Sequence, residues 1–362
     1  MIYVLILLLL LLYFSLNIKA KYPIECNNLY RKYKGFIYIF LILSFFSAIR
    51  DDCGCDYDSY IFHIQNIQVG NLSYMEPGFQ FIVKYLEKFD DNPRLVIILI
   101  GVLTCFFYTF AIWQQSVDRK LSIYLLITWG YYIMTFNTIR NYFALSVVLC
   151  FIPLVIRQRY FLFILLTIFI ALFHKSALFC IPVYIVASKI TFKRKHILPM
   201  ILLGILFLKL ETIFRSFVFM IYASYEGSEY DNHSISYLNI LKAIVVIWLY
   251  IRYRNRLQAD PICKLYFNLN VFALFIYTSL YWLPEVSRLG FYLNVTTILM
   301  IPKIIQNISN PKERKLIRTM VYTGSFILFL LLLIQFSSET TRLLPYKTWL
   351  FNGTYNNYPI NF

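Results

Sequence analysis

The chain has 362 residues, 60% of them hydrophobic and only 14% charged, with a mean hydropathy of +0.64. Soluble domains sit near 45–50% apolar and ~25% charged, so this composition excludes a soluble globular protein and fits one membrane domain over residues 1–362. The net charge of +16 does not point to nucleic acid, because Lys and Arg cluster in short segments between apolar runs, with no RNP-like motif or long basic tail.

Apolar runs of span length recur from end to end and predict an all-α polytopic integral membrane protein with about twelve transmembrane helices. In chain order they are 1–17, 35–50, 95–114, 121–137, 140–156, 161–174, 176–189, 197–214, 236–251, 265–283, 289–305 and 319–336. The first lacks a basic n-region and a small-residue cleavage site, so it reads as a retained span and not as a secretory signal. With both termini extracytoplasmic, six loops (18–34, 115–120, 157–160, 189–196, 252–264 and 303–318) fall in the cytoplasm. They hold 22 Lys/Arg and four acids, against ten Lys/Arg outside or at outer helix ends. The positive-inside bias therefore favours this orientation.

Three segments fall outside on that topology. Residues 51–94 form a large loop whose second half, SYMEPGFQFIVKYLEKF, has the apolar spacing of an amphipathic helix starting near Pro77. Residues 215–235 form an acidic loop, and 337–362 a Tyr- and Asn-rich tail. Seven cysteines occur (Cys26, Cys53, Cys55, Cys105, Cys150, Cys180 and Cys263). The Cys53-Gly54-Cys55 spacing is too tight for an easy mutual disulfide, and no His/Cys set completes a zinc site, so no metal and no cofactor is expected.

Four polar constellations fall at outer span ends. Arg50-Asp51-Asp52, with Gly54, Asp56, Tyr57 and Tyr60, follows span two. Asn137-Thr138-Ile139-Arg140-Asn141 breaks two spans, His174-Lys175-Ser176 makes a tight turn, and Glu285-Val286-Ser287-Arg288 lies between spans ten and eleven. A single such Arg reads equally well as a snorkelling anchor. Together, Arg50, Arg140, Lys175 and Arg288 oppose the positive-inside trend and accompany Asp51, Asp52, Asp56, Glu76 and Glu285. Ionisable groups at hydrocarbon are costly, which favours function over scaffold. Arginine forks suit a phosphate or diphosphate headgroup, and acids beside them can deprotonate a hydroxyl or hold sugar hydroxyls.

These residues carry a family likeness. R-x-x-x-G-x-D-Y-x-x-Y at Arg50–Tyr60, Glu76-Pro77-Gly78-Phe79, FNTIRNYFALSVVL around Arg140, ALFHKSAL around His174, SRLGFY at Ser287–Tyr292 and LPY at Leu344–Tyr346 follow in order. In this the chain resembles the EpsG family of bacterial membrane proteins, which are Wzy-like polysaccharide polymerases. Asn141 stands where relatives often have Gln, and Cys55 where they have Thr or a similar residue.

The resemblance implies polymerisation of oligosaccharide repeat units carried on undecaprenyl diphosphate, at the outer face of the bacterial plasma (inner) membrane. The product would be an O-antigen, capsule or exopolysaccharide. Partners implied are the lipid-linked oligosaccharide, membrane lipids, and chain-length regulator and flippase proteins, with no nucleic acid. The expected catalytic residues are Asp56, with Asp52 or Glu76 as substitutes, and His174. The expected substrate-binding residues are Arg50, Arg140, Lys175, Glu285, Arg288, Tyr57 and Tyr60. A flippase or transporter should carry charges at mid-span, where only Lys209, Glu211 and Lys242 stand. A membrane O-acyltransferase using His174 as base is a further alternative, as is a non-catalytic chain-length partner.

Overall fold

The computed structural model describes residues 2–18, 29–221, 226–227, 231, 233–283, 286–339 and 341–350. Among these the secondary structure is helical, with one isolated antiparallel bridge, Arg50 to Thr348. The helices are α1 (Ile2–Ile18), α2 (Leu29–Ala48), α3 (Tyr57–Gln68), α4 (Pro77–Glu87), α5 (Arg94–Gln115) and α6 (Arg119–Thr128). They continue as α7 (Ile139–Ile156), α8 (Tyr160–Ala171), α9 (Cys180–Lys189), α10 (Ile197–Lys209), α11 (Glu211–Ile221) and α12 (Tyr237–Arg252). The series closes with α13 (Arg254–Leu257), α14 (Pro261–Ser279), α15 (Val286–Asn294), α16 (Thr297–Gln306) and α17 (Pro311–Phe336).

Five helical stretches are long and apolar enough to cross a bilayer: α5, α7, α14, α15 with α16 (Val286–Gln306), and α17. The pair α10–α11, bent by 67°, would make a sixth. Two expected spans are reshaped. The run 121–137 stops being α-helical at Thr128, where Gly130 adopts φ +82°, and continues as a 3-10 turn over Ile133–Phe136. Glycine alone enters that left-handed region without steric cost. The run 197–214 breaks at Leu210 between α10 and α11. Lipid-facing chemistry is plain on α10, where Ile197, Leu198, Ile201, Leu202 and Leu206 are all exposed, and on α17 at Met320, Ile327 and Ile334. Within hydrocarbon such side chains need no protein partner, whereas the backbone must be satisfied internally, as a helix does.

The chain forms two compact units. The first comprises residues 1–113, 124–146 and 323–362. Its core packs Ile6 and Leu10 of α1, Ile39 and Leu43 of α2, Ile64 of α3, Phe79 and Val83 of α4, and Ile97 and Ile100 of α5, all nearly inaccessible. Polar ties fix the register: Tyr3 donates to the Leu343 carbonyl (2.9 Å), Tyr132 to the Leu43 carbonyl (2.7 Å), and the Trp129 indole N–H to Ser325 (2.9 Å).

The second unit comprises residues 114–123 and 147–322. Here α14 is the central element, with Cys263, Leu269 and Ala273 fully buried. Its Asn268 amide donates to the carbonyls of Ala187 and Ile190 at 2.7 Å each, closing the end of α9. Gly290 of α15 allows a close approach, since a Cβ there would sit 2.3 Å from the buried Tyr277 ring. The free thiols are Cys53, Cys55, Cys105, Cys150, Cys180 and Cys263. Cys26 lies outside the described residues.

Candidate functional site

In the first unit the turn after α2, the start of α4 and the break before α7 hold most of the polar residues singled out in the sequence. The turn is shaped by Gly54, with φ +99°; a Cβ there would meet the Phe136 carbonyl oxygen and the Asn137 Cα at 2.8 Å. Asn137 uses its side-chain oxygen to accept from the Asp56 backbone N–H (3.0 Å) and the Cys55 thiol (3.3 Å). The Gly54–Tyr60 motif and the Asn137–Arg140 motif are thereby locked together. Asp56 precedes the first residue of α3 and is half-buried.

Arg140 is the focus of this region. Its guanidinium pairs with Glu76, the N-cap residue of α4, whose extended backbone is followed by Pro77 at the first helical position. The same guanidinium lies 5.7 Å from the Tyr60 ring centroid and 5.7 Å from that of Phe79. The side chains of Arg140 and Glu76 are only 12% and 8% exposed, and the Arg140 Nε is buried without a hydrogen-bond partner. A buried guanidinium with a spare donor is poised for an oxyanion, because an unmet buried donor costs about 1–3 kcal/mol.

Arg50 is still more enclosed, at 2% exposure. It donates to Ser47 (2.9 Å) and stacks over Phe136 at 4.8 Å, leaving Nε and Nη2 buried without partners. Asp51 accepts from Tyr57 (3.2 Å) and pairs with Arg94 (2.8 Å). Burial, with Asp51 alongside, raises the Tyr57 phenol well above its ordinary range, so this hydroxyl acts as a donor and not as a base. Asp52, at φ 45°, is bound by Arg342 (2.7 Å) and by Lys347. Asp52 is thus engaged by two cations.

The cations holding Asp52 come from the segment after α17, which returns along the turn through backbone bonds. Asp51 N–H donates to Lys347 (3.0 Å), Gly54 to Arg342 (2.9 Å), Cys55 to Thr341 (3.1 Å), and Trp349 to Ile49 (3.2 Å). Arg94, Arg342 and Lys347 were not singled out in the sequence; the LPY motif at 344–346 was the nearest signal. His63 of α3 was also overlooked. It lies edge-on to Tyr74 (4.5 Å), and burial, then the Arg140 charge, hold it below the usual histidine range.

His63 is therefore neutral at pH 7. Above about pH 6.5 its stabilising contribution is complete; as pH falls from there toward the lowered folded-state value it is lost, since the unfolded chain binds the proton more readily. The purified protein should melt at a lower temperature at pH 5.5 than at pH 7.5. His63→Phe should reduce that difference, and an unchanged difference would remove His63 as its source.

The remaining candidates lie in the second unit. His174 precedes a 3-10 turn over Lys175–Phe179, and Lys175 is exposed. Ser176 donates to the Tyr292 hydroxyl (3.3 Å), and Tyr184 donates to the Tyr292 backbone carbonyl. The ALFHKSAL and SRLGFY motifs are thus joined directly. Arg288 lies on α15, partly exposed; Glu285 lies outside the described residues. Among the described residues, no three His, Cys, Asp or Glu side chains are grouped to hold a metal ion.

A chain whose described residues are helical, with several bilayer-length apolar helices and a buried arginine paired to an acid at a helix end, is a multi-pass membrane protein. A sequence profile of the EpsG family matches residues 32–348, and the chain belongs to that family, whose members are membrane proteins of polysaccharide biosynthesis associated with glycosyltransferase-like polymerase activity. Comparison with curated proteins and with solved structures gives no match.

Proposed function

We propose that this protein is a polysaccharide polymerase of the plasma membrane that crosses it about twelve times with both termini outside. It transfers a growing glycan from undecaprenyl diphosphate to the next lipid-linked repeat unit, at the outer face. The observation that carries this reading is Arg140, a buried cation held by Glu76 against two adjoining aromatic rings with its Nε–H unspent.

In the reaction, a hydroxyl of the acceptor's non-reducing sugar attacks the anomeric carbon of the donor glycan. The new C–O bond forms as the bond from that carbon to the diphosphate oxygen breaks, and the diphosphate leaves with the electron pair. Asp56 takes the hydroxyl proton as general base. Arg140 binds the departing diphosphate, whose charge grows as the bond breaks; fixed cations aimed at developing charge are effective in sites that exclude water. Tyr60, buried beside Phe79, holds the Arg140 guanidinium in place. Arg50, enclosed as it is, supports the Asp51–Tyr57 turn and adds positive potential. In the second unit, Lys175, Arg288, Glu285 and His174 are assigned to the lipid-linked substrate.

Asp56→Asn keeps the helix start and removes the base. Polymer made in cells carrying this variant should fall about 10²-fold or more, with protein level unchanged, read as loss of the long-chain ladder on a gel of extracted surface glycan. A full-length ladder would end the base assignment.

A further inference from the structure

The second unit contains a cavity of about 620 Å³ remote in sequence from every residue assigned above. Its walls come from the turn before α6, the end of α16 and the first turns of α17, and include Arg119, Arg314, Arg318 and one carboxylate, Asp118. Pro302 and Ile305 supply an apolar floor.

The charged wall is built, not merely crowded. Arg314 donates from Nε to the Ile308 carbonyl (2.8 Å), which fixes its guanidinium plane. Arg318 pairs with Asp118. Asp118 is itself committed, accepting from the Leu121 N–H (3.1 Å) to cap α6. Three guanidinium groups against a single engaged carboxylate leave the concavity with a net charge of +2 from its lining residues. Its volume lies within the few-hundred to ~1,000 Å³ range of small-molecule sites.

We infer that this cavity binds a phosphorylated anion. Guanidinium forks match phosphate oxygens bidentately, and convergence of three on one apolar-floored pocket suits a phosphate group carried on a larger body. That chemistry is shared by an anionic lipid headgroup and by a soluble phosphate compound. The site is additional to the polymerase reading and does not rest on it.

The full-length protein in nanodiscs decides the matter, with two probes. One is inorganic pyrophosphate, titrated calorimetrically into phosphatidylcholine nanodiscs. The other is phosphatidylglycerol mixed into the nanodisc, with retained lipid read by native mass spectrometry. The wild-type protein binds one of these, which identifies the soluble or the lipid source. Arg119→Gln/Arg314→Gln weakens that binding at least about tenfold, as expected for lost charge-assisted bonds. The exposed control pair Lys193→Gln/Lys195→Gln leaves it unchanged. Binding of neither probe, or an equal loss in the control, overturns the inference. Should the arginine variant fail to fold, Asp118→Asn decides alone: tighter binding supports the site, and unchanged or weaker binding overturns it.

Discussion

Arg140→Ala is expected to abolish the long-chain glycan while the lipid-linked single repeat unit accumulates. Two effects combine. Removing the cation deletes the donor to the departing diphosphate, a loss of the order of 10²–10³ in rate for a single electrostatic stabiliser. It also removes the cation paired with Glu76, which is buried at 7% exposure; breaking one side of a buried pair costs about 3–5 kcal/mol in folding stability. The two are separable with Arg140→Lys. Lysine keeps a positive charge for Glu76 but loses the planar fork and its contact with the Tyr60 and Phe79 rings. Arg140→Lys should therefore restore protein abundance without restoring the ladder. A normal ladder from either variant at normal abundance would remove Arg140 from the chemistry.

Gly54→Ala should be strongly damaging. The left-handed backbone at Gly54 costs an alanine about 1–2 kcal/mol. The added Cβ also meets backbone atoms of Phe136 and Asn137 at 2.8 Å, which have no rotamer through which to yield. Overpacking of this kind adds about 1–3 kcal/mol. The expected result is a lowered melting temperature together with loss of polymer, because displacing Asn137 also releases the Asp56 N–H and the Cys55 thiol. Gly227→Ala is the matched control: it has φ +68° but open space around the position, so only the backbone cost remains. Equal effects of the two substitutions would show that close approach to Asn137 is unimportant.

The residues of the candidate site stand out in the sequence because they defy the composition around them. Charged and turn-forming residues at the ends of apolar runs stand out in a chain that is 14% charged, and so Arg50, Asp56, Glu76 and Arg140 could be selected as a set, though not one by one. The Arg140–Glu76 pairing was not legible, since 64 positions separate the two and a helix break supplies the geometry. The returning segment after α17 was hidden for a different reason. Its contacts with residues 49–55 run through backbone groups, which carry no side-chain signature, and Arg342 and Lys347 look like ordinary tail cations until Asp52 is beside them.

Helix continuity was read too simply in two places. Hydropathy over 121–137 is uninterrupted, yet Gly130 ends the helix and frees Asn137 to grip the opposite turn. The 67° bend between α10 and α11 likewise leaves hydropathy intact, because a polar pair, Lys209 and Glu211, is a small fraction of the window. His63 was missed since a lone histidine on a helix carries no spacing signal; its standing comes from its burial, then the Arg140 charge, with the Tyr74 ring beside it.

The central claim is a reaction, and its most direct measurement is reconstitution. The purified full-length protein in nanodiscs is supplied with a lipid-linked repeat unit on undecaprenyl diphosphate and nothing else, and the products are sized while released undecaprenyl diphosphate is counted. The account predicts a ladder of glycans, one molecule of undecaprenyl diphosphate released per unit joined, and neither product from Asp56→Asn. Repeat units that stay single, with no undecaprenyl diphosphate released while the wild-type protein remains folded, would contradict it.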